Sequence, residues 1–246
     1  MDTDKTGKAL GEKTHDEERS GTRYVAFCDI LGFSHKILTD FDSTLEVYKQ
    51  FGDSLLNAPS TRAEVSVYSD AVLVTSEFLI PVLSTVQVLC FLALIHDLMV
   101  RGAITKGRYW EKREGNHMLV ASDALARAVK LERSIGVPAV VIADDVEIPD
   151  ALWFQRFQSG IFFTPILHFR DRNIVNPFNI MWFRSAGDRA TRLMAQSPAH
   201  KDKYLWFLAL HVAIESGHDL IPPDVLARFL RDGILKEKRN DAPGNN

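Results

Sequence analysis

The most apolar stretch of the chain is FLIPVLSTVQVLCFLALIHDLMV, residues 78–100, and its length approaches that of a membrane span. Pro81, Gln87 and Asp97 interrupt it, together with other polar residues. Its ends also lack the basic and aromatic anchors typical of a span. The pattern therefore predicts a helix over 81–99 that is buried in a core or an interface, and we expect no membrane partner.

The segments around this helix predict an α+β fold. Apolar periodicity indicates a strand over 24–29, a helix around 35–56, and two strands, EVSVYS and AVLVTS, that flank Asp70 as a tight hairpin. After the apolar helix come the strands RGAITKGRYW and HMLVA, the helix SDALARAVKLERSI and the strand AVVIA. This order fits a ferredoxin-like core with the helices on one face of the sheet.

The ends of the chain have a different character. Residues 1–22 are polar and lack the apolar segment of a signal peptide, so we expect a disordered leader there. Further strands are expected over 162–168 and 180–183. Amphipathic helices are expected in KDKYLWFLALHVAIESG and PPDVLARFLRDGILKEK. These patterns predict a main domain over 23–184 and a helical extension over 185–240, packed on that domain or on a dimer.

Composition limits the possible partners and the compartment. The net charge is -3, and no basic block occurs, so a small ligand is favoured over nucleic acid or a membrane surface. Cys28 and Cys90 both lie within apolar runs, which is typical of buried, reduced thiols rather than disulfides or zinc ligands. We therefore expect a cytoplasmic protein.

Two acids and one arginine are candidates for chemistry. Asp29 ends a short apolar strand in FCDILGFS, and Asp70 lies at the turn of the predicted hairpin. Paired carboxylates of this kind suit Mg²⁺, which prefers one or two carboxylates plus substrate phosphates. Arg101 begins the strand RGAITKG and could bind phosphate oxygens. Alternatively, the two acids are turn or cap residues and Arg101 is a solvated side chain.

The three segments FCDILGFS, YSDAVLV and RGAITKG resemble, in order and spacing, the three central motifs of class III nucleotide cyclases. The resemblance extends over about residues 23–145. It implies that Asp29 and Asp70 bind two divalent ions, Mg²⁺ or Mn²⁺, with the backbone carbonyl of Ile30 as a further ligand. It also implies that Arg101 contacts the β- and γ-phosphates.

The resemblance further implies that the backbone amides of Leu31, Gly32 and Phe33 cradle the triphosphate. Purine cyclases of this family carry a base-reading lysine four residues before the second aspartate, where this chain has Ser66. Tyr68 shares the strand face of Ser66 and would shrink the base pocket. These two residues favour a pyrimidine base, with UTP preferred over CTP, unless Tyr68 is ordinary hairpin packing.

The helix SDALARAVKLE departs from the family pattern as well. Ala126 replaces the ribose-orienting asparagine, and Lys130 replaces the transition-state arginine, with Arg127 three residues earlier. Lys130 keeps the positive charge near the transferring phosphoryl but loses the bidentate geometry of arginine. The sequence leaves open whether Lys130 or Arg127 stabilises the transferring phosphoryl group in the transition state.

With the short build and the extra C-terminal helices, these departures resemble the pyrimidine cyclases of bacterial Pycsar antiphage systems. That resemblance implies a homodimer that makes cyclic UMP or cyclic CMP upon infection and acts through a separate effector. Three alternatives remain: a purine cyclase, a cyclase-like module that binds nucleotide without turnover, and an unrelated two-metal phosphotransferase with a polymerase-like palm.

Overall fold

The computed structural model of the chain describes residues 17–58, 62–153, 164–178, 182–196, 200–216 and 220–234. Within these ranges the elements are β1 (Glu17–Ile30), α1 (Phe33–Thr39), α2 (Phe41–Leu56), β2 (Glu64–Tyr68), β3 (Ala71–Ser76), α3 (Leu79–Ile95), β4 (Val100–Glu114), β5 (His117–Ser122), α4 (Asp123–Arg133), β6 (Val140–Ile142), a short 3₁₀ helix (Asp150–Trp153), β7 (Ile166–Phe169), β8 (Arg172–Val175), α5 (Phe183–Gln196), α6 (Lys201–Glu215) and α7 (Pro223–Arg231).

The strands form one mixed sheet in the order β2-β3-β1-β4-β6-β8-β7, and β5 pairs with the far half of β4. β1 is antiparallel to both of its neighbours, β3 and β4. The first four strands in the order β2-β3-β1-β4, with helices between β1 and β2 and between β3 and β4, have the ferredoxin-like topology. The predicted α+β fold with a ferredoxin-like core and a C-terminal helical extension is therefore confirmed. The expectation that the helices lie on one face is wrong, because α3 packs on the face of Ala26 whereas Ala124 of α4 is buried with Val25 on the opposite face.

One face of the sheet is covered by the apolar helix α3. Alternate residues of β1, including Ala26, Cys28 and Ile30, are buried on this face against Val86 and Leu89 of α3 in one core cluster. α3 is buried along most of its length, in agreement with the core helix expected over 81–99. Among the described residues, no helix is both long enough and apolar enough to cross a membrane.

The C-terminal helices share a second core with the far half of the sheet. Leu193 of α5 and Leu210 of α6 are buried with Ile174 of β8 and Val141 of β6. Phe178 lies at the centre of this cluster and is fully buried. Packing of apolar side chains thus fixes α5 and α6 against the sheet that carries β1 and β4.

Three further sequence expectations are corrected by the structure. Residues 17–22 belong to β1, where they pair with β4, and not to a disordered leader. The helix expected over 35–56 is broken at Asp40, whose side chain accepts a hydrogen bond from the amide of Ser43 and caps α2. Phe183 begins α5 instead of ending a strand, and residues 180 and 181 lie outside the described residues.

A glycine in β4 permits the close contact between β4 and the middle of the sheet. Gly102 lies opposite Cys28 of β1 and Val140 of β6. A Cβ atom added to Gly102 would lie 2.7 Å from the carbonyl oxygen of Phe27 and 3.0 Å from the Cα of Cys28. Both atoms belong to backbone that the sheet holds in place, so the position excludes any side chain.

We predict that Gly102→Ala lowers the free energy of unfolding by about 1–3 kcal/mol, because overpacking forces the backbone of β1 to move. Gly52→Ala in α2 is the matched control, since a Cβ there meets no atom within 4 Å. The control should be stabilised by roughly 0.5–1 kcal/mol, as alanine suits a helix better than glycine. Urea denaturation measures both values, and a Gly102→Ala protein as stable as the wild type would contradict the prediction.

Candidate functional site

Asp29 lies near the end of β1, directly opposite Ala71 of β3 and Arg101 of β4. Side chains alternate along a strand, so Asp29 points away from the face on which Cys28 and Ile30 are buried. Its side chain is 23% exposed. Burial raises the pKa of the Asp29 carboxyl above its ordinary value, although the nearby Arg101 lowers it.

Asp70 is brought to the same edge of the sheet by the β2–β3 turn. The amide of Ile30 donates a hydrogen bond of 2.9 Å to the carbonyl oxygen of Asp70, which joins this turn to the end of β1. The hydroxyl of Ser34 donates to the Asp70 carboxylate at 2.5 Å. After burial and Arg101, the charge of Asp70 has the next largest effect on Asp29, and it raises the Asp29 pKa. The structure therefore brings the two predicted carboxylates together.

Arg101 is held between two carboxylates. Its Nε atom lies 3.1 Å from the Oδ2 atom of Asp29 and 2.5 Å from the Oε1 atom of Glu132 in α4. The Glu132 side chain is only 5% exposed, and burial raises its pKa while Arg101 lowers it. Arg101 thus lies beside the predicted carboxylate Asp29, and a second acid, Glu132, also binds it.

Glu132 was missed by the sequence reasoning, although a signal for it exists. Ala124, Ala128 and Glu132 follow one another at intervals of four residues, and all three are buried on one side of α4. An acid in line with two buried alanines has to find a partner inside the protein. The partner is Arg101, which no local pattern links to α4.

The turn after β1 supplies fewer free amides than the sequence predicted. The amide of Leu31 donates to the carbonyl oxygen of Met99 at 2.8 Å, so it continues the sheet and is not available to a phosphate. Gly32 adopts φ 78° at the start of α1, a backbone conformation that favours glycine. Of the three predicted amides, those of Gly32 and Phe33 remain as candidates for a triphosphate.

The predicted base-reading residues lie on the same face as Asp29. Tyr68 is directly opposite Ala71, which is itself opposite Asp29, so the three residues form one row across β2, β3 and β1. Two strand spacings separate Tyr68 from Asp29, about 10 Å at 4.8 Å per strand. Ser66 faces the same way, opposite Leu73. Tyr68 is 53% exposed, and its hydroxyl lies 3.8 Å from the sulfur of Met118.

The candidate transition-state residues lie elsewhere on the chain. Arg127 forms an ion pair with Asp145 and donates to the carbonyl oxygen of Lys106. Lys106 is five residues along β4 from Arg101, about 17 Å at 3.3 Å per residue. Lys130, also on α4, is exposed. Within a single chain, the structure does not bring Arg127 to the carboxylates of Asp29 and Asp70.

The donor set at Asp29 and Asp70 suits a hard cation that arrives with phosphate oxygens. Two carboxylates and the nearby backbone carbonyl of Ile30 leave further coordination positions for substrate and water. The residues that the structure describes contain no group of three or more His, Cys, Asp and Glu side chains that could hold a metal ion. A tightly enclosed structural metal site is therefore not found among them, whereas an open site for Mg²⁺ or Mn²⁺ fits the two carboxylates.

Comparison with known proteins gave structural matches only. No family model matches the chain, and no curated protein matches it. Similar solved structures include the adenylyl cyclase CyaB from P. aeruginosa, with 13% identity and a TM-score of 0.42 over 52% of this chain and 80% of that one. The guanylyl cyclase Cya2 has 10% identity and a TM-score of 0.39 over 52% of this chain and 76% of that chain.

A bacterial light-regulated adenylyl cyclase is another solved structure with partial similarity. It shares 15% identity with this chain and gives a TM-score of 0.40. The matched region covers 52% of this chain and 44% of that chain, so this chain spans less than half the length of the light-regulated enzyme.

We predict that Asp29→Asn removes part of the pH dependence of stability. Because the native pKa of Asp29 is raised, the folded wild type binds more protons than the unfolded chain, and its stability falls as pH rises from about 3.8 to the raised pKa. Asp29→Asn should lack this fall, so its stability relative to the wild type should rise across that window and then level off. Chemical denaturation at several pH values measures the effect.

Asp53→Asn, which removes an exposed carboxylate from α2, is the control for the loss of one charge. If Asp29→Asn and the wild type gave parallel curves of stability against pH, the raised pKa of Asp29 would be contradicted.

Proposed function

We propose that this chain is a class III nucleotide cyclase that converts a pyrimidine nucleoside triphosphate, UTP or CTP, into its 3',5'-cyclic monophosphate and pyrophosphate. The observation that carries the proposal is the meeting of Asp29 and Asp70 at one edge of a ferredoxin-like sheet, beside the turn at Gly32. Two acids and a turn of this kind suit phosphoryl transfer between oxygens of one nucleotide.

Asp29 and Asp70, with the carbonyl of Ile30, are the residues that would hold the divalent ions. When bound there, two Mg²⁺ or Mn²⁺ ions would lower the pKa of the ribose 3'-hydroxyl and would neutralise the charge of the leaving pyrophosphate. The amides of Gly32 and Phe33 donate to phosphate oxygens. Because the ions would lower the pKa of the 3'-hydroxyl, no protein side chain is needed as a general base.

Arg101 is proposed to bind the β- and γ-phosphates. Its guanidinium already lies at the edge that carries Asp29, with Glu132 on its other side. A guanidinium presents five N–H donors, so it can keep a carboxylate partner while it donates to phosphate oxygens. Glu132 then acts as the residue that positions Arg101.

The proposed preference for a pyrimidine rests on Ser66 and Tyr68. Both side chains lie on the face of the sheet that Asp29 occupies, and Ser66 offers no long donor to a purine edge. Tyr68 lies in the same row across the sheet as Ala71 and Asp29, and its ring would occupy space that a purine base needs. A purine cyclase is the alternative if Tyr68 only packs against Met118.

The proposed enzyme is a homodimer in which Arg127 or Lys130 of the partner subunit stabilises the transferring phosphoryl group. Arg127 contacts Lys106, which lies five residues along β4 from Arg101, so one chain does not bring the two arginines together. This separation supports a contribution from the partner subunit. By resemblance to Pycsar enzymes, the product would act in the bacterial cytoplasm on a separate effector during antiphage defence.

A cyclase-like module that binds nucleotide without turnover is a second candidate. The observation that favours it is the buried carboxylate of Glu132, which competes with phosphate for Arg101. Such a module would bind a nucleoside triphosphate and form no product.

We predict that the purified protein with equal ATP, GTP, CTP and UTP plus Mn²⁺ forms a cyclic pyrimidine nucleotide that mass spectrometry identifies. Asp29→Ala and Asp70→Ala should each lower the rate by roughly 100-fold or more, since both remove charge that holds the ions. Asp53→Ala is the control and should retain the wild-type rate. No cyclic product from any nucleotide would favour the silent module, and an excess of cyclic AMP or cyclic GMP would favour a purine cyclase.

We predict that Tyr68→Ala lowers the ratio of pyrimidine to purine product about tenfold, because enlarging an apolar pocket weakens discrimination by size. Val67→Ala is the matched control, since Val67 is the preceding residue of β2 and faces the other way. Competition assays with mixed nucleotides give the ratio. An unchanged ratio of pyrimidine to purine product in Tyr68→Ala would contradict the assignment of Tyr68 to the base pocket.

A further inference from the structure

A cavity of about 440 Å³ opens beside the turn that follows β1. One wall is formed by Leu31 and Gly32 of that turn and by Met99, which precedes β4. The opposite wall is formed by the start of α6, including His200 and Lys203. The C-terminal extension therefore lies directly across from the turn that carries the proposed phosphate-binding amides.

The charged side chains in the lining of this cavity are two lysines and one carboxylate. Lys36 from α1 and Lys203 from α6 both line it. Within the part of the chain that the structure describes, neither lysine has an ion-pair partner. The carboxylate in the lining, Asp97, is already bound by Arg189 of α5, with 2.6 Å between the Nε and Oδ1 atoms. Two lysines thus face a cavity in which the acidic group is neutralised by another residue.

The cavity borders the turn that follows Asp29 and Ile30. A Cβ atom built on Gly32 would lie 3.9 Å from the Nε2 atom of His200, so α6 begins directly above the glycine turn. A ligand that reaches from Asp29 across Gly32 therefore enters this cavity.

We propose that Lys203 of the C-terminal extension, together with Lys36, binds the terminal phosphates of the substrate. The assignment of the ligand as a triphosphate rests on the proposed cyclase function, whereas the cavity and its charges do not. Lysine is a point charge that suits phosphate oxygens, and the positive end of the α6 helix dipole adds to the attraction. The extension then forms part of the active site.

Calorimetric titration of the protein with inorganic tripolyphosphate, without divalent ions, tests this assignment. Lys203→Gln should raise the dissociation constant about tenfold, as expected for the loss of one charged hydrogen bond. Lys201→Gln is the matched control, because Lys201 begins the same helix but does not line the cavity. It should change the dissociation constant less than twofold. Thermal unfolding verifies that both variants are folded.

The proposal is overturned if the wild type does not bind tripolyphosphate or if Lys203→Gln binds it no more weakly than Lys201→Gln does. This outcome leaves the cyclase function untouched, since product formation from nucleotides is measured separately. If Lys203→Gln loses binding as expected but no cyclic nucleotide is made, the anion site stands and the cyclase function fails.

Discussion

The candidate site depends on the double pairing of β1. Hydrogen bonds join β1 to β3 on one side and to β4 on the other, and both pairings extend as far as Asp29. The register alone therefore sets Asp29 beside Arg101 and beside the turn that carries Asp70. The hydrogen bond from the amide of Ile30 to the carbonyl of Asp70 then fixes that turn in place. A shift of one residue in either pairing would send Asp29 to the apolar core.

The electrostatics of the site follow from this placement. The carboxylates of Asp29 and Glu132 flank the guanidinium of Arg101, and Asp70 lies near enough to Asp29 to raise its pKa. Burial raises the pKa values of Asp29 and Glu132, Arg101 lowers them, and the charges of neighbouring acids raise them further. An excess of partly desolvated acid is unfavourable unless a cation or a protonated carboxyl compensates for it. This excess is the physical reason to expect a divalent ion there.

Local sequence patterns predicted the parts of the site that lie on neighbouring elements. Asp29 could be recognised near the end of an apolar strand and Asp70 at the turn of a hairpin, and the order and spacing of the motifs around them predicted that they meet. The spacing of Glu132 from two buried alanines predicts an internal partner, but no local pattern identifies that partner as Arg101. Lys203 lies on α6, which packing of buried apolar side chains places beside the sheet, and no local pattern describes that packing. The amide of Leu31 was assigned wrongly to phosphate because the pairing of β1 runs one residue further than the motif suggested.

We propose that Asp29 and Asp70 together hold a divalent ion, and binding of Mn²⁺ measured by electron paramagnetic resonance tests this most directly. The wild type, titrated in the presence of a non-cyclisable triphosphate analogue, should bind Mn²⁺ beyond what the free analogue binds. Asp29→Asn and Asp70→Asn should each remove this additional binding, while Asp53→Asn should keep it. Equal Mn²⁺ binding by the wild type and both site variants would contradict the account.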